Sequence, residues 1–112
     1  LPADFHFTEY SQVWRYDYSP VCGRNFNVDI FARAVNPNDY SLIGEIKNRE
    51  NRRFSREEAV IFERKLVELK LCEQIDRAQG FIFSRCGFTE DAESYCQEKG
   101  IACSDDERWL DL

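Results

Sequence analysis

Three charged residues interrupt two apolar stretches of this chain. Asp29 stands between Val28 and Ile30, and Glu45 and Lys47 flank Ile46. In strands, successive side chains alternate between faces, so Glu45 and Lys47 share one face and Ile46 takes the other. With Asp29 on the same face of a neighbouring strand, two carboxylates and one ammonium converge. Oxygen donors of this kind suit Mg²⁺ or Mn²⁺, ions held by one or two carboxylates, waters and substrate phosphates. The adjoining amine can orient an attacking water or offset charge building on a phosphoryl oxygen. The competing reading is a solvated hairpin with surface charges. The apolar neighbours weigh against it, because burying three charged groups without a purpose is costly.

The elements that must position these residues are legible from composition. Residues 27–35 are rich in Val, Ile, Phe and Ala and read as one strand, and residues 41–48 as a second. Asn36-Pro37-Asn38-Asp39 supplies turn residues between them. An aromatic-rich strand over 12–22 precedes them, with Gly23-Arg24-Asn25 as a hairpin turn. The three form an antiparallel meander. Directly opposed residues share a face, so Asp29 joins Glu45 and Lys47 only if it faces an odd-numbered residue.

Ser55-Arg56-Glu57-Glu58 fits a capping box. Ala59, Phe62, Leu66 and Leu69 then recur at helical spacing, which predicts a helix to about Ile75. Phe81-Ile82-Phe83-Ser84 suits a buried strand returning parallel after that helix. Thr89 caps a second helix ended by Gly100, and Ile101-Ala102-Cys103 is a last short strand. Trp109 and Leu110 anchor an acidic tail. The fragment from Leu1 to Tyr10 reads as the end of an N-terminal helix. The resulting order is (α)βββαβαβ, an α/β chain with a mixed sheet.

At 112 residues this is one domain, 1–112, long enough for a single core. A hydrophobic fraction of 43% argues for a folded chain. No apolar run approaches a membrane span. The net charge of −6 excludes a nonspecific nucleic-acid coat but not a nuclease, whose site is itself acidic. Lys47, Arg49, Arg52, Arg53 and Arg56 cluster directly after the carboxylates and form a candidate phosphate-gripping rim. Five cysteines at 22, 72, 86, 96 and 103, with no C-x-x-C pair, read as free buried thiols in a cytoplasmic protein. His6 is the only histidine and receives no role. The chain opens at Leu1 and contains no Met, which suggests a piece of a longer protein.

Asp29 followed by Glu45-Ile46-Lys47 resembles the D…(D/E)-x-K signature of the restriction-endonuclease-like nucleases, with Val28 where a proline is usual. The run 81–101, strand-Ser-x-x-Gly-Phe-Thr-helix-Gly-Ile, is similar to the tail of the Mrr-like branch. The resemblance implies a restriction-endonuclease-like core and a metal-dependent nuclease acting on DNA rather than RNA. It implies Asp29, Glu45 and the Ile46 carbonyl as ligands of Mg²⁺ or Mn²⁺, and Lys47 as the catalytic amine. It also implies Glu9 as an extra ligand, Lys65 as a residue approaching from the helix, and Arg49, Arg52, Arg53 and Arg56 as contacts to DNA. A homodimer, or an ATPase module in the same full-length chain, is compatible with it. The alternative is a catalytically inactive binding or regulatory domain on the same fold.

Overall fold

The computed structural model describes residues 8–11 and 15–110. Its elements are β1 (Tyr16–Ser19), β2 (Arg24–Val28), β3 (Ile30–Ala32), β4 (Ser41–Lys47), α1 (Arg56–Cys72), β5 (Ala78–Ser84), α2 (Glu90–Lys99) and β6 (Ala102–Ser104), closed by a 3₁₀ turn at Glu107–Leu110. The mixed α/β order is that expected, with four strands in place of three before α1. A four-stranded mixed sheet runs β3-β4-β5-β6, with β3 antiparallel to β4 and the other neighbours parallel. Among the described residues β1 and β2 pair only with each other.

The meander therefore arrives as two successive antiparallel pairs, and the single strand expected over 27–35 is broken at Asp29. The register moves from Tyr16↔Val28 to Tyr18↔Asn25, so three steps on β2 oppose two on β1. The extra residue makes a bulge, and Asn27 takes a left-handed conformation with φ 54°, which Asn tolerates better than most side chains. The hairpin turn lies earlier than expected. Gly23, at φ 65°, closes it by donating its N–H to the Ser19 carbonyl, and Arg24 and Asn25 already belong to β2. The N-terminal segment is not helical where it is described: Tyr10 bridges Ala34 in antiparallel fashion. Residues 1–7 and 12–14, which carry the rest of the expected first helix and strand, lie outside the described residues.

α1 begins with the reciprocal capping box, Ser55 Oγ accepting from Glu58 N and Glu58 Oε1 accepting from Ser55 N. It stops at Cys72, short of Ile75, because Gln74 turns left-handed at φ 55° and Ile75 N closes onto the Lys70 carbonyl. Phe31, Ile43, Phe62, Leu69 and Ile82 join α1 and one sheet face in the main core. Ile30, Ala32, Leu42 and Phe81 pack on the other face, where Trp109 meets Phe81 edge-on and anchors the tail. Gly44 is set by that second cluster. A Cβ there would lie 2.3 Å from the nearest atom of the Phe81 ring, and Phe81 is itself buried. Gly44→Ala is expected to cost about 2–3 kcal/mol through overpacking, read as a lowered midpoint in urea unfolding; an unchanged midpoint would show that the ring moves freely.

Not all five cysteines are the free thiols expected. Cys22 and Cys72 form a disulfide across 50 positions, while Cys86, Cys96 and Cys103 are free. The hairpin tip folds back on the end of α1, a juxtaposition that cysteine spacing does not reveal.

Candidate active site

The β3–β4 register pairs odd residues with odd ones, the parity that Asp29 needs, and Asp29 itself stands just before the paired residues. Ile30 pairs with Gly44 and Phe31 with Ile43, and Asp29 occupies a bend at the end of that ladder, on the side of Glu45. The ladder stops there, and Asp29 takes over with its side chain, its Oδ2 accepting from Ile46 N at 2.8 Å. On β4, the Lys47 carbonyl accepts from Arg85 N on the β5 side. Backbone groups alternate along a strand, so the Ile46 carbonyl lies on the other edge, with its N–H and with Asp29. Lys47 Nζ lies 3.5 Å from Glu45 Oε1. The structure thus brings Asp29, Glu45, the Ile46 backbone and Lys47 together.

Glu45 is the buried member, 8% exposed. Its pKa is pushed up to about 7, first by burial, with the carboxylate of Asp29 adding to the rise; Lys47 and Lys65 oppose it without cancelling it. Two carboxylates facing each other at low exposure repel when both are ionised, and one then keeps its proton. A divalent cation between them would remove that repulsion. Among the described residues no group of three or more His, Cys, Asp or Glu is placed to hold a metal. The donors present are two carboxylates and one carbonyl, hard oxygens with room for waters. That set fits Mg²⁺ or Mn²⁺ and not a soft metal.

A cleft of about 140 Å³ opens beside the pair, lined by Glu45, Lys47, Phe54, Glu58, Ile61, Phe62 and Lys65. Lys65 comes from α1 and donates to the Asn27 carbonyl at 3.4 Å, so it spans the cleft from the helix to the bulge that precedes Asp29. Glu58, which sequence reasoning treated only as a cap, is a further carboxylate here. Burial pushes it up, but hydrogen bonds from Arg49 and Ser55 outweigh that and hold it below the usual range. Arg15 is exposed on the strand side of Asp29 and is not brought to the cleft. It pairs with Asp17 at 3.0 Å, and after Asp17 the carboxylate of Asp29 also stabilises its charge. No spacing signal marks it.

Other expected residues are placed elsewhere. Arg49 grips Glu58 with two hydrogen bonds, of 2.8 and 3.1 Å, and Cys86 donates to its carbonyl. It braces the loop before α1 and is not a free phosphate contact. The Arg56 guanidinium lies over the Tyr95 ring at 5.2 Å, toward α2. Arg52 is exposed, 3.8 Å from Glu58, and Arg53 is exposed. Glu9 is not brought to the site. Its carbonyl accepts from Val35 N, beside the end of the strand farthest from Asp29.

No protein-family model and no curated protein matches the chain. Solved structures do. EndoMS, in a structure of its complex with double-stranded DNA, superposes with TM-score 0.56 at 14% identity, covering 83% of this chain and 36% of that one. A protein of unknown function, AF1548, gives TM-score 0.64 at 18% identity over 89% of this chain and 50% of that one. At identities this low, the TM-scores show a shared fold alone. The chain spans about a third of the first and half of the second.

Proposed function

We propose that this chain is a metal-dependent nuclease domain of the PD-(D/E)XK type that hydrolyses phosphodiester bonds in DNA. The observation that carries the reading is the buried Glu45 carboxylate, its pKa raised by that burial and by the neighbouring Asp29 carboxylate, with Asp29 bonded to Ile46 N and the Lys47 amine 3.5 Å from Glu45. Asp29, Glu45 and the Ile46 carbonyl are the groups that would hold Mg²⁺ or Mn²⁺, which when bound polarises the phosphate and acidifies a water. Lys47, 35% exposed and at the cleft wall, holds that water by hydrogen bonding and offsets charge on a phosphoryl oxygen. Lys65 supplies a second cation to the same cleft. Arg52 and Arg53, exposed on the loop before α1, contact flanking phosphates.

DNA is favoured because the structural neighbour EndoMS is solved with double-stranded DNA. The Mrr-like affiliation, a cytoplasmic location, a homodimer and an ATPase module elsewhere in a longer chain belong to the same proposal. No helix among the described residues is long and apolar enough to cross a membrane.

The deciding experiment incubates the chain with plasmid and single-stranded DNA in Mg²⁺, Mn²⁺ or EDTA, alongside Mn²⁺ calorimetry of the wild type and Asp29→Ala. Expected are metal-dependent cleavage and a binding heat that Asp29→Ala removes. Cleavage that persists in EDTA, or no Mn²⁺ heat from the wild type, would favour a binding domain without catalysis.

A further inference from the structure

Along one side of α1, successive residues reach across to the β1–β2 hairpin. Lys65 donates to the Asn27 carbonyl, Glu68 pairs with Arg24 at 2.8 Å, and Cys72 is bonded to Cys22. Glu73 accepts from Ser19 at 2.7 Å and from Tyr16. Among the described residues the hairpin belongs to no larger sheet, and an isolated two-stranded hairpin is marginal in water. It is held by these links and by Tyr16, Phe26 and Val28 in the core, Tyr16 packing edge-on against Phe31. Arg24 and Glu68 are both exposed, and exposed ion pairs contribute little. The covalent bond is therefore the firmest tie at the tip. The far end of the same hairpin carries the Asn27 bulge and then Asp29, whose carboxylate reaches Ile46 N.

We propose that Cys22–Cys72 is a thiol-exchange site whose reduction loosens the hairpin and withdraws Asp29 from Ile46, disabling the candidate metal site. In a compartment rich in reduced thiols a disulfide is more often a sensor than a brace. Only the consequence for cleavage and the choice of compartment rest on the nuclease reading. Cys22 is exposed and Cys72 half-buried, so the accessible sulfur is Cys22 Sγ. A thiolate from a small dithiol attacks it, forming a mixed disulfide and expelling Cys72 as a thiolate. The Ser19 hydroxyl lies 3.3 Å from Cys72 Sγ and donates its one proton to Glu73, so it stabilises the leaving thiolate only by turning away from that carboxylate. The second thiol of the reagent then releases Cys22 and closes its own disulfide. The protein bond gains two electrons from the dithiol, whose two protons end on Cys22 and Cys72.

The test uses amide exchange by NMR on the oxidised chain, the dithiothreitol-reduced chain and the Cys22→Ser/Cys72→Ser variant, with Mg²⁺-dependent cleavage measured in parallel. On reduction, the Ile46 amide and the β2 amides should exchange about tenfold faster or more, as expected of a local opening, while the Ile82 amide in the central strand keeps its protection. Cleavage should fall with them and return on reoxidation. Equal Ile46 protection in both redox states overturns the proposal. So does a uniform loss that includes Ile82, which would make the bond a plain stability brace. Loosening at Ile46 in a chain that cleaves nothing in either state upholds the thiol-exchange site and rejects the nuclease reading.

Discussion

Lys47→Ala is expected to lower kcat for DNA cleavage by at least about a hundredfold, the scale seen when one preorganised group that stabilises the transition state is removed. KM should change little, because Arg52, Arg53 and Lys65 remain to contact phosphates. The chain should stay folded: Lys47 is partly exposed and makes its ion pair at the rim of the core, not within it. The loss has two parts. The amine that holds water or offsets phosphoryl charge is gone, and Glu45 loses the nearest cation opposing its raised pKa. Glu45 then holds its proton more tightly and binds metal less well. Saturating Mn²⁺ should recover the second part and leave the first. Lys47→Arg separates them further, since it keeps the charge but replaces the compact amine by a planar guanidinium. Single-turnover rates with Mg²⁺ and Mn²⁺ for the wild type and both variants decide it. Undiminished turnover by pure Lys47→Ala protein would remove Lys47 from the mechanism.

The spacing of charges within strands made the central geometry legible. Glu45 and Lys47 share a face by period alone, and the fifteen residues between Asp29 and Glu45 suit the β3–β4 register, in which Asp29 stands just before the paired ladder and reaches Ile46 N with its side chain. The capping box at Ser55 and Glu58 and the stripe Ala59, Phe62, Leu66, Leu69 likewise follow from local rules, and α1 starts where they place it. What escaped was decided by contacts between distant segments. Asn27 gives no sign of its bulge, because an Asn in a strand is ordinary until the partner's register is known. Arg49 and Arg52 look equivalent in sequence, yet the capping geometry of Glu58 draws Arg49 into a double hydrogen bond and leaves Arg52 exposed. Cys22 and Cys72 meet only because the hairpin folds onto the end of α1. Glu9 misses the site because residues 9–11 pair alongside Ala34 and Val35.

Glu45→Gln should stabilise the metal-free chain at alkaline pH while removing its response to metal. In the folded chain Glu45 releases its proton near pH 7, against an ordinary 4.5. Below about pH 4.5 the group is protonated whether the chain is folded or not, and its burial then costs least. Between these values the folded chain holds a proton that the unfolded chain has released, so stability falls as pH rises, and the loss is complete above pH 7. The shift corresponds to at most about 3 kcal/mol, less whatever local relaxation recovers. Gln cannot ionise and escapes this penalty, although its amide must sit beside the Lys47 cation. At pH 8 without metal, the variant should melt above the wild type by several degrees, at roughly 3–6 °C per kcal/mol for a domain of this size. The gap should close toward pH 4.5. Mg²⁺ should raise the wild-type melting temperature at pH 8, because it binds only the ionised folded site, and should leave Glu45→Gln nearly unmoved. Melting curves at several pH values, with and without Mg²⁺, measure both differences. A gap that stays constant across that range, or an equal Mg²⁺ shift in both proteins, would mean that Glu45 is neither the strained acid nor the ligand described here.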